Sequence, residues 1–185
     1  ASGDLAVFVG VGGIGGFGVQ IARALGAAVV AIDIDDQRLE RMAQYGASVT
    51  LNAKSMDQKA LRKKVKECAD AHGIPSWRTK IFETSGTPAG QLAAFGLLSH
   101  GARLSIVGYT PKPIEVRLSN LMAFDAIAQG NWGCVPELYP AAIDLVVSGR
   151  VALAPFVERR PLASINDVFA EVHAGGVQRR IILVP

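Results

Sequence analysis

Short apolar runs alternate with segments of helical periodicity along the first 150 residues of the chain. The apolar runs are typical of strands that are buried on both faces of a sheet. They lie at residues 5–9, 27–34, 49–51, 80–84, 103–107 and 127–131, and helices are predicted at residues 14–25, 37–45, 56–71, 88–98, 118–124 and 136–148. Strands joined by helices of this length make right-handed crossovers. The pattern therefore predicts an α/β fold with a doubly wound parallel sheet.

The first predicted helix carries its apolar or small residues on one stripe. Successive members are spaced four, three, one and three residues apart, namely Ile14, Gly18, Ile21, Ala22 and Leu25. This spacing is that of one face of an amphipathic helix. Gly26 stands where glycine commonly ends a helix.

A different unit follows residue 150. A strand at 156–162, a helix at 165–174 and a strand at 180–184 are predicted there. We therefore divide the chain into a domain at residues 1–150 and a C-terminal segment at residues 151–185.

Composition narrows the classes of partner. Half of the 185 residues are hydrophobic, the formal net charge is +3, and much of the positive charge lies on the predicted helix at 56–71. Because no aromatic residue or glycine interleaves that charge, it indicates a solvated helix face rather than a nucleic-acid site. We therefore expect no nucleic-acid partner. No apolar stretch approaches the length of a membrane span, so we expect no membrane as partner either. Cys68 and Cys134 are too few for a disulfide framework or a four-cysteine zinc site, which favours a cytoplasmic location.

Six glycines crowd positions 10–18, directly after the first predicted strand. Gly10, Gly12 and Gly15 satisfy the spacing G-x-G-x-x-G, and Asp33 ends the next predicted strand. Together these features form the dinucleotide-binding fingerprint of a Rossmann fold. Gly10 permits a sharp exit from the strand, Gly12 lets a pyrophosphate approach the helix N-terminus, and Gly15 allows close packing of helix on strand. The sequence therefore predicts a dinucleotide cofactor.

Asp33 indicates which dinucleotide is expected. Its carboxylate would accept hydrogen bonds from the adenosine ribose and would repel a 2′-phosphate, which favours NAD over NADP. Arg38 could reach the same ribose or lie on the surface. A basic residue there would tolerate a phosphate, but Asp35 and Asp36 argue against one.

Two more strand ends should face the cofactor, because ligands of such sheets lie at the carboxyl ends of the strands. Residues 84–86, beginning with Thr84, follow one strand, and residues 107–109, beginning with Val107 and Gly108, follow the next. These positions serve either as cofactor contacts or as ordinary turn residues.

The chemistry of alcohol oxidation is not recognisable in the chain. Such a reaction needs a group that takes the hydroxyl proton or a Lewis acid that polarises the oxygen. His72, His100 and His173 lack the spacing of metal ligands. No tyrosine has a lysine four residues later, and no glycine-rich phosphate loop ends in lysine, which argues against a short-chain dehydrogenase and against phosphoryl transfer. We assign no catalytic residue and no metal ligand to this chain.

Longer strings resemble the coenzyme domain of the medium-chain dehydrogenase superfamily, the zinc alcohol dehydrogenase type. The match runs from the first strand to the second helix in "GDLAVFVGVGGIGGFGVQIARALGAAVVAIDIDDQRLERMAQYGA", and "GARLSIVGY" and "QRRIILVP" are similar to later strands of that domain. The resemblance extends over essentially the whole chain.

The resemblance implies roles for particular residues. The pyrophosphate would be held by the residues of the glycine-rich turn, Gly10, Gly12, Gly13, Ile14 and Gly15. The other implied contacts are Asp33 and Arg38 for the adenosine ribose, Thr84 and Val107 for the adenine and nicotinamide sides, and Arg180 for the far end of the pyrophosphate. Arg179 could be the match instead of Arg180.

In that superfamily an N-terminal catalytic domain carries the zinc ligands, a Gly-His-Glu motif and usually a four-cysteine lobe. The sequence contains none of these, and it begins without methionine close to the first predicted strand. We therefore expect a fragment whose catalytic residues and zinc lie in that other domain. Residues 151–185 resemble the segment that returns to it.

Three shorter strings, "ETSGTPAGQ", "AQGNWGC" and "PFVERRPLASINDVF", are similar to one subgroup of the superfamily. That subgroup uses NAD to oxidise an alicyclic secondary alcohol on a coenzyme A thioester, 6-hydroxycyclohex-1-ene-1-carbonyl-CoA, in the degradation of aromatic compounds. The expected function is hydride transfer between a secondary alcohol and NAD. Two alternatives remain, a non-catalytic NAD-sensing module and a nucleotide-using transferase. The superfamily also implies a homodimer or homotetramer, with residues 114–135 at the contact.

Overall fold

Strands and helices alternate along the chain in a computed structural model that describes residues 1–185. The strands are β1 (Leu5–Val9), β2 (Ala28–Asp33), β3 (Val49–Asn52), β4 (Thr79–Glu83), β5 (Arg103–Ile106), β6 (Ile127–Gly130), β7 (Val157–Pro161) and β8 (Arg180–Val184). The α-helices are α1 (Gly15–Ala24), α2 (Asp36–Gln44), α3 (Gln58–Ala71), α4 (Pro88–Gly96), α5 (Ser119–Ala123), α6 (Tyr139–Val147) and α7 (Ile165–His173). Among these helices, none combines the length with the apolar character that a transmembrane span requires.

The first six strands form one parallel sheet in the order β3-β2-β1-β4-β5-β6. β1 lies inside the sheet and pairs with β2 on one side and with β4 on the other. β2 and β3 therefore extend the sheet on one side of β1. After the crossover through α3, β4, β5 and β6 extend it on the other side. This confirms the predicted doubly wound sheet, whose ligand crevice lies at the carboxyl ends of the strands where the order reverses.

β1 is buried on both faces, and its side chains alternate between two core layers. Leu5, Val7 and Val9 pack into one layer together with buried residues of α3 and α4. Ala6 and Phe8 pack into the other layer with buried residues of α1 and α2. The strand that leads into the glycine-rich turn is thus fixed from both sides.

Helix α1 crosses β1 at close range. A side chain at Gly18 would overlap the ring of Phe8, and that ring stacks on Phe82 with 4.7 Å between the ring centroids. The small residue on the stripe of α1 therefore sets how closely the helix approaches the sheet.

The C-terminal segment forms its own small sheet. β7 pairs in parallel with β8, and α7 connects them. Phe156 is buried and packs against Phe17 of α1 and Tyr45 at the end of α2, with ring centroids 5.6 and 4.9 Å apart. These contacts attach the segment to the helices that flank the glycine-rich turn.

Candidate functional site

Residues 10–15 form the turn between β1 and α1, and two of its glycines are required by the fold itself. Gly10 has a φ of +89°, a conformation that favours glycine, and a Cβ there would lie 2.5 Å from the backbone of Ser85. Gly15 is buried against the carbonyl of Gly10 and the hydroxyl of Thr84, which leaves no room for a side chain.

Gly12 and Gly13 differ from Gly10 and Gly15, because nothing in the folded chain excludes a Cβ at these two positions. Neither has a positive φ. A Cβ on Gly12 would lie 3.6 Å from the nearest atom, Nη1 of Arg38, and a Cβ on Gly13 would meet no atom within 4 Å. The N–H groups of Gly13, Ile14 and Gly15 donate to no protein acceptor. They lie at the start of α1, where the helix dipole favours negative charge, so the turn can accept an anion.

Asp33 ends β2 beside this turn and is almost completely buried. Its Oδ2 accepts the N–H of Val11 at 2.7 Å, and its Oδ1 accepts the N–H groups of Ile34 and Asp35 at 2.8 and 3.1 Å. A carboxylate offers about four acceptor positions, so about one remains for a ligand. Asp33 also anchors the glycine-rich turn through Val11, a role that the fingerprint does not predict.

Four arginines lie beside the open side of the turn. Arg38 and Arg41 belong to α2, Arg179 and Arg180 lie at the start of β8, and all four line one pocket with the glycine-rich turn. Nη1 of Arg38 lies 3.9 Å from Oδ1 of Asp33. The sequence left Arg179 and Arg180 as alternatives, and both line the pocket. The structure adds Arg41 to the site residues predicted from the sequence, because nothing in the fingerprint marks Arg41.

Gln178 ties the C-terminal segment to α2. Its Nε2 donates to Oδ2 of Asp35 at 3.2 Å, and its carbonyl accepts a hydrogen bond from Nη1 of Arg41 at 3.3 Å. Oδ1 of Asp35 caps α2 by accepting the N–H groups of Gln37 and Arg38. Burial raises the pKa of Asp35, but these hydrogen bonds and the Arg38 charge outweigh it and hold the pKa below its ordinary value of 3.8.

The turn after β4 is linked to the glycine-rich turn. Oγ1 of Thr84 donates to the carbonyl of Gly10 at 2.5 Å. Ile14, Thr84 and Val107 line one end of a groove of about 280 Å³ that runs along β1 and β4. Because β2 and β4 lie on opposite sides of β1, these residues and Asp33 lie on opposite sides of the glycine-rich turn.

Glu83, the last residue of β4, is fully buried, and it belongs to no motif of the dinucleotide-binding fingerprint. Its Oε1 accepts hydrogen bonds from the N–H groups of Ser85 and Gly86 and from the Ser85 hydroxyl. Its main-chain carbonyl accepts the N–H groups of Val107 and Gly108, both at 2.9 Å. An acidic residue at the end of an apolar strand is the signal that could have identified it.

The structure contains no cluster of metal-ligating side chains. No three His, Cys, Asp or Glu side chains lie close enough to one another to hold a metal ion. Burial raises the pKa of the Cys68 thiol, which is the opposite of what activates a cysteine nucleophile. The residues around the glycine-rich turn are therefore a candidate site for an anionic ligand.

Comparison with known proteins identifies the family of the chain. The family model for zinc-binding dehydrogenases matches residues 13–148 of the chain. An alcohol dehydrogenase from Moraxella sp. (strain TAE123) is 30% identical over 183 residues, which is 98% of this chain and 50% of that protein. The chain spans about half the length of the curated relatives that it matches.

Two solved structures share the fold. Galactitol-1-phosphate dehydrogenase from Escherichia coli has a TM-score of 0.87 at 22% identity, over 100% of this chain and 54% of that chain. A short chain alcohol dehydrogenase from Escherichia coli, solved in complex with NADH, has a TM-score of 0.77 at 21% identity, over 100% of this chain and 52% of that chain. At these identities the likeness establishes the fold.

Proposed function

We propose that this chain, which belongs to the zinc-binding dehydrogenase family, is the NAD-binding part of an alcohol dehydrogenase. The open turn at Gly12 and Gly13 carries the proposal. The fold gains nothing from glycine at these two positions, whereas a diphosphate on the N–H groups of the turn needs the space that a Cβ would fill. The solved relative that contains NADH supports the same choice of cofactor.

The diphosphate would accept hydrogen bonds from the free N–H groups at the start of α1. Gly13, Ile14 and Gly15 supply those groups, and the helix dipole adds to the attraction. Arg180 would approach the diphosphate from the opposite side of the pocket, with Arg179 as the alternative.

The adenosine ribose would lie at the end of β2. Oδ2 of Asp33 keeps about one acceptor position for a ribose hydroxyl, and Arg38 lies at hand on the same side. A buried carboxylate at this place repels a 2′-phosphate, so we propose NAD rather than NADP as the preferred cofactor.

The nicotinamide end would then extend toward β4 and β5, because the ribose side is occupied by β2 and the diphosphate by the turn after β1. Thr84, Val107 and Gly108 lie at these strand ends. The bound coenzyme would supply the hydride acceptor. The residues of this chain would bind it, orient it and exclude water from its adenosine side.

Zinc and proton transfer are proposed to belong to the rest of a longer protein, because this chain provides no metal site and spans about half of its curated relatives. The substrate would be a secondary alcohol, and the three short strings favour an alicyclic hydroxyacyl-CoA. We also propose a homo-oligomer with residues 114–135 at the contact. Strand β6 ends the sheet there, and Trp132 beside it is 94% exposed.

The proposal is tested by Gly12→Val in the full-length protein. A Cβ on Gly12 lies no closer than 3.6 Å to any residue other than its chain neighbours, and the side chain enters the space that the diphosphate would occupy, so NADH binding should be lost while the protein stays folded. Ala71→Val is the control, since it adds apolar volume at an exposed position, the last residue of α3, outside both the site and the proposed contact at 114–135. Fluorescence titration with NADH and thermal unfolding of both variants give the answer. Equal NADH affinity in the two variants would reject the proposal.

A further inference from the structure

Glu83 is a buried carboxylate for which the binding scheme above has no use. It is 0% exposed, and its Oε2 is buried without any hydrogen-bond partner. A buried carboxylate is costly for a fold, and an unpartnered oxygen adds to the cost. A buried and unpartnered oxygen that lowers the stability of the fold therefore indicates a functional role for Glu83.

One residue holds two strand ends together here. The side-chain Oε1 of Glu83 accepts the N–H of Ser85 at 2.8 Å, the Ser85 hydroxyl at 2.6 Å and the N–H of Gly86 at 3.1 Å. Its main-chain carbonyl accepts the N–H groups of Val107 and Gly108. The turn after β4 and the end of β5 are therefore fixed relative to each other through Glu83.

The unpartnered Oε2 lies beneath Gly108. A Cβ at Gly108 would lie 2.6 Å from this oxygen and would also overlap the N–H of Gly86. The side chain of Glu83 therefore fills the space between the two strand ends and sets the distance between them. Hydrogen bonds to an ionised carboxylate are stronger than those to a neutral acceptor, which makes this spacing stiff.

We propose that Glu83 is a positioning residue for the nicotinamide end of the coenzyme. The proposal rests on the proposed function, because it places the nicotinamide at the ends of β4 and β5. The hydrogen bonds of the Glu83 side chain go to Ser85 and Gly86, and none joins it to Asp33, Arg38 or the other arginines of the pocket on the adenosine side. Its replacement should therefore weaken binding of the nicotinamide end and leave the adenosine end unaffected.

The test compares two ligands in the full-length protein. NADH contains both ends, whereas ADP contains only adenosine and the diphosphate. In Glu83→Gln the neutral amide weakens the hydrogen bonds to the Ser85–Gly86 turn, so the Kd for NADH should rise by about tenfold and the Kd for ADP by less than about twofold. A role confined to stability would lower the melting temperature without separating the two ligands. Glu67→Gln, which removes an exposed carboxylate paired with Lys64 on α3, is the matched control and should change neither Kd.

Ser85→Ala serves as the second variant if Glu83→Gln does not fold. It removes the hydroxyl that donates to Oε1 and that also accepts the N–H of Thr87 at 3.1 Å, and it should raise the Kd for NADH by about threefold with no change for ADP. Equal effects on NADH and ADP, or no effect on either, would overturn the role of Glu83. If the wild-type protein binds ADP and NADH equally weakly, the proposed function itself fails, so the two failures are distinguishable.

Discussion

Replacing Asp33 by asparagine tests the adenosine end of the site and has two separable effects. The carboxylate accepts the N–H groups of Val11, Ile34 and Asp35, and asparagine has only one acceptor oxygen. If that oxygen serves Ile34 and Asp35, the N–H of Val11 loses its acceptor. Val11 is buried, and an unsatisfied buried N–H costs about 1–3 kcal/mol. The free energy of unfolding of Asp33→Asn should fall by that amount.

The second effect is on the cofactor. Loss of a hydrogen bond to a charged acceptor costs about 1.5–3 kcal/mol, so the Kd for NADH should rise by about 10- to 100-fold. NADPH also gains affinity, because the substitution removes a repulsion between the carboxylate and the 2′-phosphate. A unit charge about 5 Å from the carboxylate is repelled by about 3 kcal/mol at an effective dielectric constant of about 20. The preference for NADH over NADPH should therefore fall by about 100-fold.

Urea unfolding measures the first effect in the full-length protein, and fluorescence titration with NADH and NADPH measures the second. Asp70→Asn is the control, because it removes an exposed carboxylate that pairs with Lys66 on α3. A variant that loses stability but keeps the wild-type preference for NADH would show that Asp33 only anchors the turn. That result would refute the assignment of the adenosine ribose to β2.

Two further predictions concern stability. Gly18→Ala should lower the free energy of unfolding by about 1–3 kcal/mol, because the new methyl overlaps the buried ring of Phe8. Urea unfolding measures this change. An unchanged midpoint would contradict the prediction and show that α1 can move away from β1. The pKa of Asp35 is held below its ordinary value of 3.8, so its carboxylate contributes stability that is present above that pH and is lost as the pH falls below it. Asp35→Asn should accordingly be less stable than wild type by up to about 1 kcal/mol near neutral pH, and the difference should vanish in acid. A difference in the free energy of unfolding that persists in acid would contradict this.

The fold was predictable because its signals are local. Each strand of the sheet is a short apolar run and each helix has its own period, so the alternation predicts a doubly wound parallel sheet. Asp33 was found at the end of its strand for the same reason, since the fingerprint places it at a set distance from Gly12 and Gly15.

Other parts of the candidate site depend on contacts that no local pattern encodes. Gln178 donates to Asp35, 143 positions earlier in the chain, and Arg41 donates to the carbonyl of Gln178. Such pairs form only when the C-terminal segment packs onto α2. The second role of Asp33, as an anchor of the glycine-rich turn, could not be predicted for a related reason. It depends on hydrogen bonds from main-chain N–H groups, and the residue types do not show which of these groups lie near the carboxylate.

Glu83 is a different case, because its position at the end of an apolar strand is visible in the sequence. Its importance is not visible there, since burial of the carboxylate depends on how closely the ends of β4 and β5 approach. Only the structure shows that Oε2 has no partner.

The central claim is that the turn after β1 is left bare so that a diphosphate can reach its N–H groups. The NADH titration of Gly12→Val beside the control Ala71→Val tests it most directly. The claim predicts a Kd at least about 10- to 100-fold higher for Gly12→Val, with a melting temperature equal to that of wild type, and wild-type affinity for Ala71→Val. Wild-type NADH affinity in a folded Gly12→Val protein would contradict it.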